Sequence, residues 1–173
     1  SIRYEYELIV DNEITALEIT PIVNDGVAVE ISGAVARNEY SLEVGENIFW
    51  IKVSVEGTEK VYALNVYRTP SAEVGLEKIE LKHEGNCLPL SKSDDVYSIL
   101  LESPLNSLDL EVKAKHEAAR VEVMGETGRE VNTVLTVKPG VNRFTILVIP
   151  EDGENSVEYG LEICRKAFLT GLI

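Results

Sequence analysis

The sequence is poor in residues that favour helices and in runs that could enter a membrane. Of its 173 residues one is methionine, and Val and Ile are abundant, a balance that suits strands better than helices. No segment carries an apolar stripe of helical period, and no stretch approaches the ~20 apolar residues of a membrane span. We therefore expect an all-β protein without direct membrane insertion.

Sequence signatures of catalysis and of cofactor binding are also missing. The chain has no Gly-x-Ser-x-Gly elbow, no phosphate-binding loop and no Cys-x-x-Cys pair. Its two histidines, His83 and His116, do not have the spacing of metal ligands. These absences predict a protein that is not an enzyme, with no catalytic residues, no cofactor and no metal.

Basic side chains are few, and the net charge is −14. Binding to nucleic acid or to anionic lipid requires a surface rich in Lys and Arg, so the charge argues against both partners. Residues 1–70 carry 12 acidic and 5 basic side chains and the remainder carries 18 and 11, so the same acidic excess recurs in each half. Such a charge favours solubility.

The chain does contain one pattern twice. A Gly-x-Asn step precedes alternating apolar residues, a glycine turn and a closing Tyr-x-Leu-x-(Val or Ile)-x-Arg segment. The two copies contain Gly45, Asn47, Phe49, Tyr62, Leu64, Val66 and Arg68, and Gly140, Asn142, Phe144, Tyr159, Leu161, Ile163 and Arg165. Each copy predicts two strands, and the glycine and asparagine predict the turn that leads into the first of them.

Other segments alternate in the same way, beginning with residues 2–10, and strong turn signals such as Asn24-Asp25-Gly26 separate them. Short alternating strands at regular spacing are typical of a β-sandwich. The repeat places one module at residues 1–69, a second at 70–166 and the possible start of a further module at 167–173.

The order of these motifs resembles the cadherin-like β-sandwich family, whose immunoglobulin-like modules often occur in tandem in bacterial cell-surface and secreted proteins. The resemblance implies two tandem immunoglobulin-like antiparallel β-sandwiches, in an extracellular or cell-surface protein. The family module opens with a Leu-x-x-Leu strand, which the second unit has at Leu76 to Leu81 and the first lacks. Because the chain begins inside a strand, we expect it to be part of a longer polypeptide.

The acidic loops raise the question of calcium, which true cadherin repeats bind. A calcium site needs six to eight converging oxygens, and neither Asp94-Asp95 nor residues 151–155 supply an alternating ligand series. We predict no metal site, with Asp152 the best single candidate ligand.

The two cysteines are candidates for a disulfide bond. The resemblance implies that the first and last strands of a module lie side by side, which would bring Cys87 and Cys164 to the same pole of the second unit. A bridge would stabilise that unit and would indicate an oxidising compartment. The alternative is two unrelated thiols.

Two aromatic side chains are candidates for a binding surface. Trp50 and Tyr67 lie on the opposite strand face from Phe49 and Val66, and exposed aromatic rings of this kind stack against sugars. The alternative is that they are buried at the junction between the modules or belong to a second apolar face.

These observations lead to three hypotheses of function. The first is a non-catalytic spacer, adhesion or protein-interaction segment of a larger bacterial cell-surface or secreted protein. Its partners would be a protein or glycan at the cell surface and the neighbouring domains of the same chain. The second is an accessory carbohydrate-binding module. The third is a strand-exchanging assembly subunit in which residues 167–173 fill the open edge of a neighbouring molecule; otherwise we expect a monomer.

Overall fold

The alternating segments form strands throughout the part of the chain that the structure describes. A computed structural model of the protein describes residues 4–35 and 37–168. These residues contain no helix long and apolar enough to cross a membrane. The all-β prediction is confirmed, because the described chain contains no helix and strands dominate it.

The first compact unit spans Ser1–Pro70. Its strands are β1 (Tyr4–Val10), β2 (Ala16–Glu18), β3 (Ala28–Ile31), β4 (Glu39–Ser41), β5 (Gly45–Val55) and β6 (Thr58–Arg68). One sheet has the order β1-β6-β5-β3, and a two-stranded sheet is made of β2 and β4. The two sheets face each other across a small apolar core.

The second compact unit spans Ser71–Ile173. Its strands are β7 (Leu76–His83), β8 (Asn86–Leu88), β9 (Ser91–Ser93), β10 (Val96–Leu101), β11 (Ser107–Ala114), β12 (Arg120–Val123), β13 (Glu126–Gly128), β14 (Glu130–Thr136), β15 (Gly140–Ile149) and β16 (Val157–Arg165). A six-stranded sheet has the order β13-β12-β15-β16-β10-β9, and a four-stranded sheet has the order β14-β11-β7-β8.

The two units share one strand arrangement. In each, the long β5–β6 or β15–β16 hairpin is antiparallel, and its last strand pairs in parallel with β1 or β10. The second unit adds β7, which lies antiparallel to β11 and has no counterpart among residues 4–35 and 37–70. The prediction that the first unit lacks its opening strand is therefore confirmed.

The extra strand changes the size of the core. The second unit buries seventeen described residues in one cluster, with Leu81 of β7 among them, whereas the cluster of the first unit contains four. The four are Tyr40, Leu42, Phe49 and Val66. Two strands of three residues each cannot cover the longer facing sheet, so the first unit is the less well packed of the two.

The Gly-x-Asn step is the same turn in both units. The side-chain oxygen of Asn47 accepts a hydrogen bond from the Glu43 amide at 2.9 Å, and its amide group donates to the Glu43 carbonyl at 2.8 Å. Asn142 repeats both bonds with Lys138 at the same distances. Each asparagine also donates to a carbonyl of the adjacent last strand, so the predicted role of the asparagine is confirmed.

The arginine that ends each repeat is a second shared device. Arg68 is 9% exposed, and its guanidinium donates to the carbonyl of Asn12 at 2.6 and 3.0 Å and to that of Leu42 at 3.3 Å. Arg165 donates in the same way to the carbonyl of Val137, at 3.1 Å. In both units the arginine therefore ties the last strand to backbone outside its own sheet, including the residue that directly follows β4 or β14.

The segment that follows the first unit is held by the second. The amide of Ser71 donates to Glu151 Oε2 at 2.8 Å, and the Ser71 carbonyl accepts from the Asp152 amide at 3.2 Å. The Tyr159 hydroxyl donates to the Val74 carbonyl at 3.2 Å. Residues 71–75 are thus part of the second unit rather than a free linker. The predicted further module stays a prediction, because residues 169–173 lie outside the described residues.

The turn at Gly45 gives a test of this architecture. Gly45 has a φ of 91° and open space where a Cβ would stand, so a substitution there strains the backbone without a steric clash. We expect Gly45→Val to destabilise the first unit by ~1–3 kcal/mol. Because Trp50 is the only tryptophan, urea unfolding followed by its fluorescence reports on the first unit.

Gly45→Asn is the control for this prediction, since asparagine adopts positive φ more readily than valine and should cost less. Equal losses for valine and asparagine would show that the backbone angle is not the cause.

Candidate functional site

The outer face of the first unit's larger sheet carries the predicted aromatic residues. Successive residues of β5 and β6 point to opposite faces, so Phe49 and Val66 enter the core while Trp50 and Tyr67 point away from it. Their predicted placement on the alternate face is confirmed. Trp50 is 38% exposed and Tyr67 is 43% exposed.

Aliphatic residues extend these rings into a strip that we call the outer strip, made of Ile9, Ile48, Trp50 and Tyr67. Ile9 lies opposite Tyr67 in the parallel pairing of β1 with β6, and it is 73% exposed. Ile48 stands two residues before Trp50 on β5 and is also exposed. Contiguous exposed apolar side chains on a soluble domain often mark a contact surface.

A groove of about 220 Å³ lies at the Tyr67 end of the outer strip. Its polar side chains are the carboxylates of Glu7 and Glu46 and the amide of Asn65, beside the ring of Tyr67. Two acceptors, an amide and an aromatic ring are the groups that hold a polyhydroxylated ligand, because hydroxyls donate to carboxylates while the sugar ring stacks.

Trp50 does not line this groove. Tyr67 lies opposite Glu46 of β5, whereas Trp50 is four residues further along β5 and lies opposite Ala63. Four residues span about 13 Å of a strand. Ala63 is buried although it lies on the outer face, so larger side chains on that face must cover it. The structure therefore separates the two predicted residues: Tyr67 belongs to the groove and Trp50 to the far end of the outer strip.

The equivalent face of the second unit has a different chemistry. Thr145 takes the place of Trp50, and Cys164 takes the place of Tyr67. Arg143 and Glu162 form an ion pair across this face, with Nε and Oε2 3.0 Å apart. The aromatic surface is thus a property of the first unit and not of the repeat.

The second unit instead carries a charged cluster on the outer face of its four-stranded sheet. Lys78 and Lys82 both pair with Glu111, in the second case with Nζ and Oε2 2.7 Å apart, and Lys82 also reaches Glu80 at 2.9 Å. The hydrogen bonds from Lys78 and Lys82 lower the pKa of Glu111 to about 2.

This pKa predicts an acid-sensitive second unit. A folded-state pKa below the unfolded value means that the contribution of Glu111 to stability is complete above about pH 4.5 and is lost as the pH falls towards 2. We expect the urea midpoint of the second unit, followed by circular dichroism, to decline over that window. In Glu111→Gln the decline should be shallower.

Glu122→Gln, a change at an exposed residue of β12, is the control and should keep the wild-type profile. An unchanged profile in Glu111→Gln would contradict the assignment.

The cysteines lie in different sheets. Cys87 is exposed on β8, whereas Cys164 is half-buried on β16, and both are free in the structure. The strand that runs parallel beside β16 is β10, whereas β7 belongs to the other sheet. The expectation that the first and last strands of the second unit are neighbours was wrong, and the candidate bridge is not formed in the structure.

Thiol labelling tests this arrangement. In the absence of reductant we expect a maleimide to label two thiols per denatured chain, and to label Cys87 faster than Cys164 in the native protein because Cys87 is exposed. Labelling of neither thiol before reduction would indicate the bridge.

His116 and Asp152 take part in local hydrogen bonds. His116 Nδ1 accepts a hydrogen bond from the Ala118 amide at 3.2 Å, and Asp152 Oδ1 accepts from the Glu154 amide at 2.7 Å. Among residues 4–35 and 37–168 there is no group of three or more His, Cys, Asp or Glu side chains that could hold a metal ion.

The family of the chain follows from these features taken with sequence comparison. The Cadherin-like beta sandwich domain family matches residues 1–69 and 88–166. The chain belongs to this family, and the two matched segments correspond to two tandem immunoglobulin-like copies. Domains of the family are usually non-catalytic.

No curated protein matches the chain, but several solved structures are similar to it over most of its length. An endo-fucoidan hydrolase of glycoside hydrolase family 107 is 12% identical with a TM-score of 0.33, over 84% of this chain and 24% of that one. Domains 4 and 5 of the S-layer protein SbsC are 17% identical with a TM-score of 0.27, over 81% and 71%.

A third similar structure is a Bacteroides ovatus mixed-linkage glucan utilization locus protein, SGBP-B, in complex with a mixed-linkage heptasaccharide. It is 14% identical with a TM-score of 0.25, over 94% of this chain and 43% of that one. The chain thus spans about a quarter of the hydrolase and less than half of the glucan-binding protein. Likenesses this distant carry no information about ligand or activity.

Proposed function

We propose that the chain is a non-catalytic spacer and adhesion segment of a larger cell-surface or secreted protein, and that the outer strip of its first unit is the contact surface. One observation carries the proposal: the outer strip exposes the aromatic rings of Trp50 and Tyr67, at whose positions the second unit has Thr145 and Cys164. The rest of that face in the second unit carries the Arg143–Glu162 ion pair and exposed aliphatic side chains such as Leu100 and Val141. In this proposal the second unit serves as the spacer and the first unit makes the contact.

The charge of the chain supports this division. An acidic exterior favours solubility, so exposed aromatic rings retained on one module have a use other than stability. The partner would be a protein or a glycan outside the cell.

Adhesion can be tested with beads that carry the full chain. We expect the double variant Ile9→Ala/Tyr67→Ala to reduce attachment to cells or extracellular matrix roughly tenfold, which corresponds to the loss of about 1.4 kcal/mol of binding. Leu100→Ala is the matched control, because Leu100 is the exposed residue of β10 that occupies the position of Ile9 in the second unit. Equal attachment of all variants would contradict the proposal.

The groove beside Tyr67 favours a second candidate, an accessory carbohydrate-binding module. Glu7, Glu46 and Asn65 supply hydrogen-bonding groups at the edge of the Tyr67 ring. A glycan array and affinity electrophoresis with the full chain would test it. We expect Tyr67→Ala to abolish retardation and Trp50→Ala to weaken it less, since Trp50 lies outside the groove. Failure to bind any glycan would exclude this candidate and leave adhesion to a protein.

A further inference from the structure

The outer face of the larger sheet in the first unit has an excess of carboxylates. By strand alternation, Lys52 is the one basic side chain on this face among the described residues of β1, β3, β5 and β6. Its Nζ atom lies 2.6 Å from Glu59 Oε1, so its charge is already paired. The other carboxylates on this face belong to Glu5, Glu7, Glu30 and Glu46.

Two of these carboxylates line the groove beside Tyr67. Glu7 lies opposite Asn65 in the pairing of β1 with β6, and Glu46 lies opposite Tyr67 in the pairing of β5 with β6. Because β6 runs between the other two strands, the two glutamates flank the side chains of Tyr67 and Asn65. Within residues 4–35 and 37–168, neither glutamate has a basic partner.

Apolar side chains complete the groove. Ile48 lines it and is 51% exposed, and Ile9 lies beside Tyr67 and is 73% exposed. A long basic side chain has an apolar stem and a charged end, so it matches a groove that combines isoleucines with carboxylates. The planar guanidinium of arginine also stacks on aromatic rings and pairs with carboxylates through several donors.

The charge of the groove favours a cation over a neutral ligand. A neutral molecule that covered Glu7 and Glu46 would remove water from both carboxylates without compensating their charge, which is costly. A guanidinium would replace that water with charge-assisted hydrogen bonds.

The second unit has an arginine of its own on the equivalent face. Arg143 and Glu162 occupy the positions of Ile48 and Asn65, and they form the ion pair with Nε and Oε2 3.0 Å apart. An arginine beside a carboxylate therefore fits this face of the fold. In the first unit the carboxylates are present and the arginine is not.

The openness of this face does not depend on the opening strand. The second unit contains β7 and β9, and β9 pairs with β10. On the face of β10 that corresponds to the groove, Val96 is nevertheless 44% exposed and Leu100 is 54% exposed.

We propose that the groove beside Tyr67 is the docking site for an arginine side chain of a partner protein. The guanidinium stacks on the Tyr67 ring and pairs with Glu7 and Glu46, and the methylene stem lies against Ile48. This inference rests on the proposed function, because it names the partner chemistry of the same contact surface.

The probe is N-acetyl-arginine amide, added to the ¹⁵N-labelled full chain and followed by nuclear magnetic resonance. We expect saturable shifts of the Asn65 side-chain amide and of the backbone amides of Glu46 and Tyr67. The citrulline derivative has nearly the same shape without the charge and should bind about tenfold more weakly. The lysine derivative should also bind more weakly, because an ammonium does not stack flat on a ring. Citrulline or lysine binding as tightly as arginine would overturn the proposal.

Three carboxylates on the same sheet face supply matched variants. Glu7→Gln and Glu46→Gln should each weaken binding of the arginine derivative about fivefold. Glu5→Gln is the control, because Glu5 lies on the same face of β1 opposite Ala63 and does not line the groove. It removes the same charge and should leave binding unchanged. An equal loss in Glu5→Gln would overturn the proposal, since it would indicate a general attraction to an acidic surface.

A neutral oligosaccharide such as cellohexaose tests the glycan alternative. If it shifts the amides of the groove and the arginine derivative does not, the proposal is overturned in favour of a carbohydrate site.

Bead attachment separates this inference from the proposed function. If Glu7→Gln/Glu46→Gln beads attach like the wild type while Ile9→Ala/Tyr67→Ala beads do not, the contact surface is supported and the arginine site is overturned. If the arginine derivative binds in the groove but wild-type beads attach to no surface, the arginine site is supported and the adhesive function is overturned.

Discussion

The architecture of both units depends on one arginine at the end of the last strand, which is buried in the first unit and partly buried in the second. Arg68 and Arg165 each end the last strand, and each donates to backbone carbonyls of the segments that lead to the facing sheet. An arginine guanidinium offers five donors in a fixed plane, so one side chain satisfies carbonyls from two segments at once. The asparagine of the Gly-x-Asn turn then fixes where the neighbouring strand begins. Together they explain why these residues recur in both copies.

Features that depend on local chain geometry could be predicted from the sequence. Alternation along residues 44–68 placed Phe49 in the core and Trp50 outside it, and Gly45 and Asn47 marked a turn whose backbone and hydrogen bonds are as expected. The role of Arg68 was not predicted, because its acceptors lie 26 and 56 residues away in the sequence. The position of Cys87 was misjudged for a similar reason. Which strands are neighbours in a sheet depends on contacts between distant residues, and the alternation of apolar and polar residues along one strand does not reveal it.

The candidate site likewise combines features that the sequence predicts with features that it does not. The sequence indicated that Trp50 and Tyr67 share the outer face, since both follow from strand alternation. It did not indicate that Tyr67 lies with Glu7, Glu46 and Asn65, because this groove combines three strands whose relative register is set by parallel and antiparallel pairing. The two units thus share a backbone plan but differ in the surfaces they expose.

The parallel pairing of β1 with β6 also determines how the first unit would carry a mechanical load. Parallel strands point the same way, so the start of β1 and the end of β6 lie at opposite ends of the pair. Tension applied to the start of β1 and the end of β6 pulls these strands past each other along their length, and all the hydrogen bonds of the seven paired positions resist together. A force perpendicular to the strands, applied at one end of the pair, would instead break those bonds one at a time. In the second unit the first strand is β7, which lies in the other sheet, so there the parallel pair of β10 with β16 does not join the first strand to the last.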